Sequence, residues 1–336
     1  MTQTAKSHVV LLATGGTIAS RAQSLQGGAT VASDTAETLL HSVPAAGSLP
    51  VRVRDVLRTG SYAMSVDDML LICAHIRGAL TDPAVVGVVV AHGTDTMEET
   101  AFLADLLHDD PRPVVFTGAQ RAADTDRPDG PRNLAAAIAL ASSADARGHG
   151  VLLCFAGQVF PALGVRKEQT EALNAFANPD VGAVGAVSGN GVALFATPAP
   201  RPAALPMPPV DSSSRVDVVA SYPGADATLL RAAAHAGAAG LVLQGTGNGN
   251  ANAALCAAVA ELCAQDITVV TSTRVSAGPV RAVYGAGGGV DLLAAGAVPS
   301  GILRPSQSFV LLSLLLRLGR SPAEIAETFA SRSRVP

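Results

Sequence analysis

The sequence predicts an α/β fold in two domains with mainly parallel sheets, and three observations carry that prediction. The chain has 336 residues, more than the roughly 250–300 at which single cores stop growing. Short apolar runs alternate with helical patterns, the signature of strand–helix–strand units. Those runs are apolar throughout instead of at every second position, as expected of strands covered by helices on both faces.

In chain order, the first run, residues 9–13, ends on Thr14-Gly15-Gly16-Thr17. The second, residues 85–91, leads into His92-Gly93-Thr94-Asp95-Thr96 and then "MEETAFLADLL". There Thr96 and Glu99 have the spacing of a capping box that opens a helix. The third, 114–117, is followed by Gly118-Ala119-Gln120, and a fourth spans 151–155. Residues 197–214, "TPAPRPAALPMPPVDSSS", hold six prolines and no periodicity, and they read as an extended linker. This suggests an amino-terminal domain over 1–200, a linker over 201–214 and a smaller carboxy-terminal domain over 215–336. In the second domain the runs are 216–220, 240–244 and 267–272, and the middle one leads to Gly245-Thr246-Gly247-Asn248-Gly249-Asn250. Alanine-rich stretches at 135–141 and 232–239 fit helix faces.

Composition excludes several classes of function. The formal net charge is −4 and the arginines are scattered, so no basic stripe offers itself to nucleic acid. The longest apolar stretch, 309–316, holds a serine and stops at Arg317, short of the 18 or so residues of a spanning helix, so no membrane role is expected. Lys6 and His8 run straight into the first strand with no room for a signal peptide, which reads as a cytoplasmic protein. Cys73, Cys154, Cys256 and Cys263 form no C-x-x-C pair and read as buried thiols. The seven histidines have no ligand spacing, so no metal is expected. "ATGGTIAS" is neither a P-loop nor a G-x-G-x-x-G fingerprint, so no cofactor is expected.

In open parallel sheets ligands sit beyond the carboxyl ends of the strands. Four loops there share one grammar: glycine for close approach, with Thr, Asp or Asn for directed polar groups. Together they suggest one polar pocket for a small ligand. Of 23 basic residues only Lys6 and Lys167 are lysines. A lone internal lysine differs from arginine in being able to move protons once buried. Its position in "LGVRKEQT" equally suits a solvated cation beside Glu168. A hydroxyl at a glycine-flanked strand end, a lysine and an aspartate are the parts of nucleophilic acyl transfer on a small amide or ester.

At this level the residues match a known family. "ATGGTIAS", "TGS" (59–61), "HGTDTMEETA", "VVFTGAQR", "DGPRNL" and "GTGNGN", in this order, resemble the bacterial L-asparaginase and glutaminase-asparaginase family over nearly the whole chain. The resemblance implies a large amino-terminal α/β domain, a smaller flavodoxin-like one, and a homotetramer of close dimers with each active site between subunits. The substrate it implies is an amino-acid amide, L-asparagine, with L-aspartate and ammonia as products. It makes Thr17 the nucleophile that forms an acyl-enzyme, and Thr94, Lys167 and Asp95 a triad. Asp95 would also bind the substrate's α-ammonium and Ser61 its α-carboxylate. Gly16 and Thr94 would offer backbone amides to the oxyanion, the backbone of Ala119 would lie near the leaving amide, and Asn248 would arrive from the neighbouring subunit. Which threonine attacks first is left open.

Two departures from the family stand out. The segment after Thr17, "SRAQSLQGGATVASD", has no tyrosine, where better-known members carry one; the gap aligns near Ala29. The neighbour-subunit loop "RVSAGPVRAVYGAGGG" has no glutamate, and Tyr284 is its only group able to donate and accept a proton, which makes Tyr284 a candidate auxiliary. Three alternatives stand beside an L-asparaginase. One is a glutaminase-asparaginase of broader specificity, since one methylene is worth only about 1–3 kcal/mol in a pocket. Another is a non-catalytic amino-acid sensor, which would not need Lys167. The last is a tRNA-dependent amidotransferase subunit, whose extra amino-terminal domain has no expected place before a strand at residue 8.

Overall fold

The computed structural model describes residues 6–23, 30–43, 49–189 and 191–333. It divides after Leu205 into two compact units. The position near Ala29 lies outside the described residues.

The first unit is built on eight strands, in the order Gly191–Leu194, Gly185–Ser188, Gln158–Pro161, Val151–Phe155, Val114–Thr117, Val85–Ala91, His8–Gly15 and Val51–Thr59. The last five in this order are mutually parallel, and the first three pair antiparallel. Alternate side chains of each parallel strand face opposite layers. Leu11, Val89, Val115 and Leu152 pack with Leu134, Ala137 and Ile138 of helix Gly130–Ser142. Helices Val66–Leu80 and Met97–Leu107 cover the other face. Burial on both faces is why these runs carry no alternation.

All four runs expected in this unit are strands, the first of them longer than expected. Four further strands of this large sheet escape the apolar-run criterion because each has a polar or short stretch. Val51–Thr59 (VRVRDVLRT) is an edge strand that alternates between half-buried and exposed positions. Gln158–Pro161 turns back on Val151–Phe155 through Ala156 and Gly157, with φ of 49° and 79°. Positive φ at both central residues is what a tight hairpin with the right twist requires.

The proline-rich stretch is extended, but its first half is docked. Arg201 donates to Asp105 Oδ1 at 2.7 Å and Leu205 N–H to Leu106 O at 2.8 Å.

The second unit holds four parallel strands, Val216–Ala220, Gly240–Gly245, Thr268–Thr273 and Val298–Pro299, side by side in chain order. Helices Thr228–His235, Ala253–Cys263 and Gly289–Ala294 line up against one another. Right-handed crossovers between strands in consecutive order place such helices on one face. Helix Pro305–Arg317 covers the strands from the other side, with Leu312 and Leu316 against Gly240. The expected smaller α/β domain, a parallel sheet covered by helices, is present.

All four cysteines are free, and burial pushes the Cys73 and Cys154 thiols up to about 12. Among the described residues no group of His, Cys, Asp and Glu could hold a metal, and no helix is long and apolar enough to cross a membrane.

Candidate active site

Four adjacent parallel strands of the first unit deliver the predicted loops at their carboxyl ends: Gly16 and Thr17, Ser61, Thr94 and Asp95, and Ala119. Ala119 is fully buried at the end of Val114–Thr117. The two glycines of the first turn have φ of 101° and 78°. A Cβ on Gly15 would lie 2.4 Å from Thr59 O, and one on Gly16 would lie 2.2 Å from Gly93 Cα. Backbone against backbone cannot give way, so the glycines are there to let three strand ends converge.

The hydroxyls on either side of this turn have different fates. Thr14 is buried and donates to Ala91 O at 3.0 Å, fastening its strand to the neighbour. Thr17 opens the short 3-10 turn Thr17–Ala19, half-buried, and among the described residues neither its hydroxyl nor its N–H has a partner. Gly16 differs from expectation: its N–H donates to Thr59 O at 3.0 Å. That amide is already committed and is not available to an oxyanion. Among the described residues, the loop amides that carry no partner include those of Thr17 and Thr94, with those of Gly93, Gly118 and Ala119.

Ser61 is 2% exposed. Its Oγ accepts the N–H groups of Asp95 and Thr96 at 3.2 and 3.4 Å, and its carbonyl accepts the Thr96 hydroxyl at 2.9 Å. The Thr96–Glu99 capping box therefore does not form. The Thr96 side chain makes no cap bond to the helix because a long-range carbonyl takes its hydroxyl. What sequence spacing offers locally, the tertiary contact overrides.

Lys167 lies in a two-residue ladder, Arg166–Lys167 against Phe176–Ala177. Neighbouring side chains on a strand point to opposite faces. Arg166 is buried against Asp180 at 3.1 Å, while Lys167 turns to the strand ends. Its Nζ donates to Thr94 Oγ1 and to Asp95 Oδ1, each at 2.8 Å. Its backbone N–H donates to Glu98 Oε2 at 2.6 Å. The solvated-cation reading is thereby displaced: the Lys167 side chain is 18% exposed, and that of Asp95 51%. Thr94 Oγ1 also donates to Gln120 Oε1 at 3.2 Å.

Two groups near this cluster are buried in a way that the sequence does not announce. His92 is fully buried and its Nδ1 lies 2.7 Å from Gly93 O; burial pulls its pKa down to about 4, so the ring is neutral. Glu99 has its Oε2 buried with no partner among the described residues. Burial, with Glu98 and Asp95 adding repulsion, pushes its pKa up to about 8. The unfolded chain releases this proton near 4.5 while the folded chain keeps it, so the contribution to stability is complete below about pH 4.5 and is lost as pH rises towards 8. Glu99→Gln, which cannot ionise, should raise Tm at pH 8 and leave it nearly unchanged at pH 5. An equal change at both pH values would mean the carboxyl is not held protonated.

Asn248 and Tyr284 belong to the second unit. Asn248 is exposed in the turn after Gly240–Gly245, which Thr246 and Asn250 close with two backbone bonds of 2.8 Å. Its carbonyl accepts the Arg281 N–H at 3.1 Å, so the loop carrying Tyr284 lies against this turn. Tyr284 is 58% exposed.

Two family models match the chain, one described as Asparaginase, N-terminal, over residues 8–200, the other as Glutaminase/Asparaginase C-terminal domain, over residues 215–329. The chain belongs to the asparaginase family. Among its relatives, a probable L-asparaginase of Deinococcus radiodurans is 36% identical over 331 residues, 96% of this chain and 97% of the relative. A probable periplasmic L-asparaginase of Haemophilus influenzae is 32% identical over 327 residues, 96% of this chain and 92% of the relative. The crystal structure of a probable cytoplasmic L-asparaginase from Campylobacter jejuni shares 29% identity with a TM-score of 0.87, over 97% of this chain and 100% of that one. In this asparaginase-family chain Thr17, Ser61, Thr94, Asp95, Ala119 and Lys167 fall in the first matched region, and Asn248 and Tyr284 in the second.

Proposed function

We propose that this chain is an amidohydrolase that releases ammonia from L-asparagine through an acyl-enzyme on Thr17. The observation that carries this is the Lys167 ammonium bonded at 2.8 Å to both Thr94 Oγ1 and Asp95 Oδ1, with the Thr17 hydroxyl at the end of the adjacent strand left without a partner among the described residues. A lysine tied only to carboxylates would be an anchor; one tied to a hydroxyl is placed to pass a proton.

In this reading the Thr17 oxygen attacks the side-chain amide carbon and its proton passes through Thr94 to the amine of Lys167 in its neutral form. The N–H groups of Thr17 and Thr94 receive the developing oxyanion. Transfer of that proton to the amide nitrogen releases ammonia and leaves an ester on Thr17. Water, activated by the same pair, hydrolyses it to L-aspartate. Asp95 holds Lys167 and meets the α-ammonium; the Ser61 hydroxyl, whose oxygen accepts two amides, has its hydrogen left for the α-carboxylate. The buried Ala119 backbone borders the leaving amide.

Asn248 and Tyr284 enter from a neighbouring subunit of a homotetramer, and the protein is cytoplasmic in this reading. A Tyr284→Phe variant should lose turnover by up to about 10²-fold, and normal turnover would remove Tyr284 from the site. Broader glutaminase-asparaginase specificity is the second reading, favoured by the description of the second matched region. Ammonia release from L-asparagine, L-glutamine and D-asparagine, measured side by side, ranks the two. Silence on all three would defeat the proposal.

A further inference from the structure

Gln120 takes no part in the relay just described, yet it touches the same hydroxyl. Its amide nitrogen donates to Thr170 O and Ala172 O, each at 3.1 Å. Two carbonyl oxygens at one end of a carboxamide admit only its NH2 group. Oε1 is thereby turned to Thr94 Oγ1, 3.2 Å away. The backbone is pinned as well, with the N–H groups of Gln120 and Arg121 donating to the two oxygens of buried Asp129 at 3.0 and 2.9 Å.

A threonine hydroxyl has one hydrogen. While the Lys167 ammonium donates to Thr94 Oγ1, that hydrogen must find another acceptor, and among the described residues Gln120 Oε1 is the one that takes it. We propose that Gln120 is a positioning residue that parks the Thr94 hydrogen away from Lys167 as long as the lysine holds a proton. When Lys167 is neutral, rotation about the Thr94 Cβ–Oγ1 bond turns the hydrogen to Nζ without moving any heavy atom. The inference rests on the reading of Thr94 and Lys167 as a proton relay. The charged groups around Lys167 do other work: Asp95 binds Nζ, Glu98 takes the backbone N–H, and Arg166 turns to Asp180. Glu99 keeps its own proton at neutral pH.

The chain's two lysines, Lys6 and Lys167, make the test direct, since protein labelled with nitrogen-15 at Nζ has two ammonium resonances. Gln120→Met keeps the length of the side chain and removes its polar atoms. It should shift the Lys167 resonance, leave Lys6 alone, and lower kcat on L-asparagine about tenfold with KM within twofold. In a Thr94→Ala background the same change should leave the Lys167 resonance in place, because Gln120 reaches the lysine only through the hydroxyl. An equal shift in both backgrounds would assign the effect to the lost Thr170 and Ala172 anchors and overturn the proposal, as would an unchanged resonance and kcat. Should the methionine variant fail to fold, Gln120→Leu, also apolar and of similar reach, takes its place in both backgrounds, with the same result expected and the same results overturning the proposal. A wild type that releases no ammonia but whose Lys167 resonance depends on Gln120 through Thr94 would sink the hydrolase reading and support the positioning role.

Discussion

Replacing Thr17 by alanine is expected to lower ammonia release roughly 10⁴- to 10⁶-fold in a protein that still folds, the scale seen when a hydrolase loses its nucleophile. Folding should survive because the hydroxyl has no partner to lose among the described residues. The turn is held by Ala19 N–H and the Ser20 hydroxyl, which donate to Gly16 O at 3.0 and 2.8 Å. Thr14→Val is the matching control three residues away. It removes a buried bond to Ala91 O, so it should cost about 0.5–1.5 kcal/mol of stability and little turnover. Thermal unfolding and ammonia release on both variants separate the roles. Retained turnover in Thr17→Ala would move the nucleophile elsewhere, with Thr94 next in line.

Lys167→Met should cost roughly 10²- to 10⁴-fold in kcat, the range for a positioned general base, and only about 1 kcal/mol or less of stability. The small stability effect follows from exposure, because Asp95 is half in solvent and an ion pair of that kind contributes little. Arg166 and Asp180 keep the short ladder anchored in the variant. Lys167→Arg should fare no better than methionine, since a guanidinium retains its proton throughout the working range. An arginine variant with wild-type turnover would show that charge at this position suffices and that no proton passes through it.

Much of this site was legible in the sequence because it is built from loops at strand ends, and strand ends announce themselves when a wholly apolar run stops at glycine. The seven strands expected from that pattern are present. The four strands of the large sheet that went unread are polar on one side or only four residues long, so no hydrophobic period marks them. Lys167 was singled out by its rarity, but the choice between solvated cation and buried donor needed the ladder that turns it inward. The Thr96–Glu99 capping box was the plainest local signal in the chain and did not form, because Ser61, 35 positions away, claims the hydroxyl. The sequence offers Gly16 as an amide donor, and the Thr59 carbonyl claims that amide instead. The burial of the Glu99 carboxyl and the orientation of the Gln120 amide have no local signature. An unpaired buried carboxyl and an amide with its NH2 group between two carbonyls are made only by what packs around them.

The sequence by itself determined which residues arrive at the carboxyl ends of the strands, because apolar runs and glycine turns are properties of neighbours along the chain. Tertiary structure alone decided which of their polar groups are spent on holding the fold and which are left over for chemistry. Thr14, Gly16, Ser61 and Thr96 have groups spent in this way, on carbonyls and amides of other strands and loops; among the described residues Thr17 is left over. The physical reason is that a hydroxyl or an amide must find a partner wherever burial removes water, and the partner available is set by distance in space, which residue spacing in the chain does not encode.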